Sequence, residues 1–174
     1  IVDGATRTTA LLELGYKHLL IQLIDYDHDE VKLKTWDHGI KNMDPEIIRS
    51  LVEKLPNAEI KIKPLKKAET FLAEGEIDGY FIFRDSEDAL CITRTGRLLE
   101  QEVELMNKIT DIYTGKAEII RLIHSDIANI FSDFSDVTTV YCTKVTKSKI
   151  KRIFVHNLTI AAGITRHLIP TRVL

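Results

Sequence analysis

Ile1-Val2-Asp3-Gly4-Ala5-Thr6-Arg7-Thr8-Thr9-Ala10-Leu11-Leu12-Glu13-Leu14-Gly15 sets the reading of the whole chain. Two apolar β-formers run into Asp-Gly, as at the end of a strand. Gly4 turns the chain. Ala10, Leu11 and Leu14 then share one face of a helix over residues 6–14, which Gly15 stops. Backbone N–H groups at a helix start lack intrahelical acceptors and carry partial positive charge, so this arrangement suits an anion. Arg7 adds a planar, permanently charged fork that matches phosphate, and Thr6, Thr8 and Thr9 add hydroxyls. The same pattern also fits a solvated first turn whose threonines cap their own helix. The glycine spacing and lysine of a Walker loop are absent, as is the dinucleotide fingerprint. Opening on Ile1 without Met, the chain reads as a piece of a longer protein with at least one strand cut.

Downstream, strand-like and helix-like segments alternate. Residues 19–24 and 31–36 read as a hairpin around the polar turn Asp25-Tyr26-Asp27-His28-Asp29. Asp44-Pro45 supplies an N-cap and a first helical residue, with Ile47, Ile48, Leu51 and Val52 as the apolar face. Ile60 and Ile62 mark a short strand, and Pro64 opens a helix that Gly75 closes. Residues 80–83 and 90–93 flank Arg84-Asp85-Ser86-Glu87-Asp88 as a second hairpin. Leu99, Val103, Met106, Ile109 and Tyr113 repeat at helical spacing up to Gly115. A strand over 119–123, a short helix over 126–134, a strand over 137–141, a helix over 146–155 and a strand–turn–strand over 159–169 complete the chain. The class is α+β with a mixed sheet.

The 174 residues are enough for one domain, or one domain with an appendage. Apolar residues are 44% and charged residues 29%, an ordinary globular mix. A net charge of −2 lacks the basic excess of a non-specific nucleic-acid binder. No apolar run reaches the roughly 20 residues that span a bilayer. Cys91 and Cys142 are too few for a disulfide framework or a four-thiolate zinc site. They read as inert thiols on strands in a reducing, cytoplasmic setting.

Three further stretches carry candidate chemistry. Period two along residues 31–36 puts Trp36, the only tryptophan, on the face of Lys32 and Lys34, as a pocket wall or as a cover over a neighbouring element. In Ala162-Gly163-Ile164-Thr165-Arg166-His167, Thr165 and His167 point one way and Arg166 the other, past a Gly at the bend. The acidic run 25–30 lacks the Gly and terminal Glu of a calcium loop and reads as a charged turn. The six histidines show no ligand spacing with the cysteines, so no metal ligand is expected.

The box over residues 1–15 resembles that of the ParB/sulfiredoxin-like superfamily, a strand, an Asp-Gly-x-x-Arg turn and a helix ending in Leu-Gly. The catalytic Cys of sulfiredoxins is absent from Gly4-Ala5-Thr6-Arg7, and no helix-turn-helix follows as in plasmid-partition proteins. Within the superfamily the chain is more similar to the free serine kinases of archaea and of siderophore clusters. It shares with them Lys34-Thr35-Trp36, the run Gly163-Ile164-Thr165-Arg166-His167, and Ile169-Pro170 after it. The resemblance implies a ParB/sulfiredoxin-like core, N-terminally truncated, in residues 1–42, and an additional α/β region in 43–174. It implies phosphoryl transfer from ADP or ATP, with Mg2+, to free L-serine, giving O-phospho-L-serine for cysteine synthesis. Gly4, Ala5, Thr6, Arg7 and Thr8 would then hold the nucleotide phosphates. Asp3 would orient the serine hydroxyl or the metal. Trp36, Thr165 and His167 would line the amino-acid pocket, with Arg166 near a carboxylate or phosphate. Thr6 stands where the family usually has His, and the family's proposed catalytic Glu lies ahead of the box, outside this chain. The alternative is a nucleotide-binding ParB-like DNA-binding or regulatory protein, against which the acidic balance weighs.

Overall fold

A computed structural model describes residues 4–170. Its elements are α1 (Ala5–Glu13), β1 (Lys32–Thr35), β2 (Asp37–Lys41), α2 (Pro45–Glu53), β3 (Ala58–Pro64), α3 (Leu65–Glu74), β4 (Gly79–Phe83) and β5 (Asp88–Arg94). There follow α4 (Leu99–Asp111), β6 (Glu118–Leu122), a 3-10 turn (His124–Asn129), α5 (Ile130–Asp133), β7 (Val137–Thr143), α6 (Lys147–Val155) and β8 (Thr165–Leu168). Caps set several boundaries. The Asp44 carboxylate accepts from the Glu46 N–H at 2.9 Å ahead of α2, and the Thr146 hydroxyl accepts from the Lys149 N–H ahead of α6.

Six strands form one sheet in the order β3-β5-β4-β7-β2-β6, and β1 with β8 forms a separate ribbon. The α+β class stands, but every pairing is antiparallel, so the sheet is not mixed. The reason lies in the connections. The α3 crossover does make β3 and β4 run the same way, but β5 folds back as a hairpin and inserts between them.

Helices cover both faces. Tyr80, Ile82, Ala89, Cys91 and Cys142 pack on one side with Ala68 and Leu72 of α3. Phe81, Phe83, Leu90, Ile92 and Tyr141 pack on the other with Ile48 and Val52 of α2 and Leu105 and Ile109 of α4. This two-sided burial accounts for the unbroken apolar run of β4. Glu102 of α4, buried, pairs with Arg94 of β5 at 3.5 Å and with Lys149 of α6, tying α6 to the body. No helix among the described residues is long and apolar enough to cross a membrane.

Three expectations fail. Residues 19–24 form no strand: Leu20, Ile21 and Leu23 are exposed and join no strand pairing among the described residues, and β-propensity without such pairing does not make a strand. The partner of β1 is instead β8, with Thr35 opposite Thr165 and Lys34 opposite Arg166. Residues 159–164 do not pair as a strand either. The Asn107 side chain donates to the Thr159 carbonyl at 2.9 Å and accepts from the Ala161 N–H at 2.7 Å, so an amide replaces a strand partner. Meanwhile Asp37–Lys41, read as no element, is the strand between β7 and β6.

Candidate active site

Asp3 lies outside the described residues. At the turn after it, Gly4 is the N-cap of α1 with φ of 79°, a left-handed conformation that Gly adopts without a Cβ penalty. Gly4 has no side chain with which to cap this helix end. The Arg7 guanidinium folds back over the turn: a Cβ on Gly4 would sit 3.4 Å from its terminal nitrogen. Charge fork and first-turn amides therefore share one small region, with Thr6 exposed and Thr8 half-buried in the same turns. Such an arrangement can hold a phosphate group from two sides.

The ribbon gathers the other candidates. Trp36 donates its backbone N–H to the Ile164 carbonyl at 2.8 Å, so it sits where the ribbon closes on the Gly163 turn. The Arg166 guanidinium lies 4.5 Å from the Trp36 ring centroid, a cation–π stack. Lys34, paired with Arg166 in the register, shares that face. Thr165 and His167 pair with Thr35 and Leu33 on the opposite face. There the His167 Nε2 is hydrogen-bonded to the Tyr26 hydroxyl at 3.0 Å. The ribbon thus brings Trp36 and Arg166 together and places Thr165 and His167 behind them. In the acidic turn, Asp27 pairs with Lys151, and the Lys147 ammonium sits over the Tyr26 ring, so this stretch braces the ribbon against α6.

Sequence reading missed His38. Its Nε2 lies 3.0 Å from the Gly163 carbonyl and its Nδ1 2.8 Å from the Tyr113 hydroxyl. A carbonyl only accepts, so Nε2 carries the proton and Tyr113 donates to Nδ1. His38 thereby ties the Gly163 turn to the sheet. Arg121 reaches the same turn: a Cβ on Gly163 would stand 3.1 Å from its guanidinium. Together with Thr114, Ile119 and Ala162 these residues line a cleft of about 460 Å³.

Burial holds the His38 pKa below its usual 6.5. The folded protein thus keeps this imidazole neutral where the unfolded chain takes a proton. Its contribution is complete above 6.5 and is lost as pH falls from there through the lowered folded value. The melting-temperature gap between the parent protein and His38→Gln is expected to narrow between about pH 7.5 and about pH 5. A gap that stays constant in paired thermal melts would show that His38 does not titrate this way.

Beside this turn, on the other face of the sheet, stands a second group of polar side chains. Asp37 Oδ2 lies 3.0 Å from His124 Nδ1, and Cys142 Sγ is close to both. The hydrogen bond to Asp37 raises the His124 pKa. Burial, helped by the Asp37 charge, pushes the Cys142 thiol well above its ordinary value. Residues 37, 124 and 142 come from separate segments, so linear spacing gave no sign of this group and led to the expectation of no metal ligands.

No family model matches the chain. A protein of Staphylothermus marinus named ATP-dependent L-serine kinase is 27% identical over 173 residues, 98% of this chain. The chain spans 66% of that relative's length. A solved free serine kinase in complex with AMP superposes with a TM-score of 0.77 at 24% identity, over 98% of this chain and 67% of the other. SbnI with a C-terminal truncation, from Staphylococcus aureus, gives 0.71 at 19% identity, over 100% and 65%. What these likenesses establish is architecture: the chain has the fold of the solved free serine kinases along nearly its whole length.

Proposed function

We propose that the protein acts as an L-serine kinase, transferring a phosphoryl group from ATP or ADP to the hydroxyl of free L-serine. The observation that carries this reading is the match along 98% of the chain to the relative named ATP-dependent L-serine kinase. Solved free serine kinases of the same fold hold AMP or ADP, which supports nucleotide as the donor.

In this reading residues 1–42 form the nucleotide side, a ParB/sulfiredoxin-like core, and residues 43–174 complete the serine side. The Gly4–Thr8 turn and Arg7 hold the phosphates. Trp36 and Arg166 hold the amino acid, its carboxylate against the guanidinium and its short side chain along the indole. Thr165 and His167 support that wall from behind, and His38 fixes its turn. The serine oxygen forms a bond to the terminal phosphorus while the bond from phosphorus to the departing nucleotide breaks. The hydroxyl proton passes to a carboxylate. Asp3 is the candidate for it in this chain; the family resemblance instead places a Glu ahead of residue 1. Asp3 is a carboxylate that would help hold Mg2+ beside the nucleotide, and the ion would supply charge neutralisation there. Positioning and charge then carry the catalysis. The product would feed cysteine synthesis in the cytoplasm.

The deciding experiment incubates the protein with L-serine, Mg2+ and either ATP or ADP, and follows O-phospho-L-serine by mass spectrometry. Phosphoserine with one nucleotide and none without serine is the expected result. Absence of product together with salt-sensitive DNA binding would favour a regulatory protein instead. Trp36→Ala is expected to raise the serine KM or lower kcat while leaving nucleotide affinity and Tm nearly intact. A stability loss of about 3–5 kcal/mol, the cost of deleting a core aromatic, would make Trp36 a packing residue.

A further inference from the structure

The row of residues across the sheet from β4 to β6 is unusual for a core. Tyr80 of β4 stands opposite Cys142 of β7, Cys142 neighbours Asp37 of β2, and Asp37 pairs with Leu122 of β6. His124 follows two residues later and closes over Asp37. The carboxylate, imidazole and thiol donor atoms all lie within 4.8 Å of one another. A tetrahedral zinc site, with bonds of about 2.0–2.3 Å, sets its donors roughly 3.3–3.8 Å apart. Asp37 and Cys142 are fixed in strands. The His124 side chain is 59% exposed, so it can make the small closing movement, and solvent reaches the site past it.

Two features of this row suit a bound cation. Asp37 is buried beside the buried Cys142 thiol, with His124 closing over it from the solvent side. The Tyr80 hydroxyl is fully buried with no hydrogen bond of ordinary geometry among the described residues, and Tyr80 pairs with Cys142 across β4 and β7. A hydroxyl there could donate to a thiolate, as outer groups do around thiolate-bound metals.

We propose that Asp37, His124 and Cys142 form a binding site for a thiolate-preferring divalent cation of the Zn2+ type, with a fourth position open toward solvent. On binding, the Cys142 S–H loses its proton to solvent and the thiolate lends an electron pair to the metal. No electron changes hands. The Nδ1 proton that His124 gives to Asp37 leaves to solvent, Nε2 carries the remaining proton, and the freed Nδ1 lone pair and one Asp37 oxygen complete the protein's ligands. Tyr80 turns its O–H onto the sulfur. A mixed S, N, O set favours zinc or cobalt over magnesium, so this ion is distinct from the one that accompanies a nucleotide, and the site does not depend on the kinase reading.

The test titrates the metal-free, reduced protein with Zn2+ against a chromogenic chelator, then with Co2+ under anaerobic conditions. One tight equivalent of Zn2+ is expected. Co2+ should give near-ultraviolet sulfur-to-cobalt charge-transfer absorption. His124→Ala, at an exposed position, should keep its circular dichroism spectrum and bind Zn2+ more than tenfold more weakly. Cys142→Ala should lose the charge-transfer absorption. Absence of a tight equivalent in the parent protein would overturn the proposal. So would unchanged affinity in His124→Ala, or charge-transfer absorption that survives in Cys142→Ala.

Discussion

Arg7→Ala should weaken ATP or ADP binding by more than tenfold while leaving the thermal transition in place. The guanidinium folds back over the Gly4 turn, where the first amides of α1 lack intrahelical acceptors and the N-cap residue is a glycine. A charge-assisted contact from a planar fork to phosphate is worth about 1.5–3 kcal/mol, which sets the size of the effect. Arg7 itself is exposed, so its removal takes little from the core. Arg7→Lys is the informative companion. It keeps the charge but not the two-pronged geometry, and should recover only part of the affinity. Calorimetry that finds equal affinity in parent and Arg7→Ala would remove Arg7 from the phosphate site.

Gly79→Ala is expected to lower stability by on the order of 3 kcal/mol, at the upper end of overpacking penalties. A Cβ there would stand 2.8 Å from the Cys142 carbonyl oxygen and 2.8 Å from Cε2 of the Tyr141 ring. Neither can yield: the carbonyl belongs to β7 in the middle of the sheet, and the Tyr141 ring is fully buried between Phe81 and Tyr113. For a chain of this size the corresponding fall in Tm is roughly 6–12 °C. A melting curve within a degree or so of the parent protein would mean that β7 slides past the added methyl.

Legibility in the sequence followed locality. Asp44-Pro45 marked α2, and 80–83 with 90–93 gave the β4–β5 hairpin, because caps and tight turns are written in adjacent residues. Asp37-His38-Gly39 concealed a sheet strand, since Asp and Gly are poor strand formers and only β7 and β6 on either side hold them extended. Trp36 could be placed on the lysine side by period two alone. Its stacking partner could not be found that way, because the alignment of Arg166 depends on the register of a strand far along the chain. His38, Tyr113 and Gly163 meet for the same reason, as do Asp37, His124 and Cys142.

The β1–β8 ribbon also has a place in time. Thr35 meets Thr165 only after roughly 130 intervening residues are in order, and closing so long a loop costs about 2 kcal/mol more than a ten-residue turn would. By contrast, β3, β5 and β4 pair within residues 58–94 and can form early. The wall bearing Trp36 and Arg166 is therefore the last part of the molecule to assemble and the first to open. Amide hydrogens of residues 32–35 and 165–168 should exchange with deuterium well before those of 79–83. A small molecule gripped by that wall would slow their exchange most, registering as protection far from the centre of the sheet.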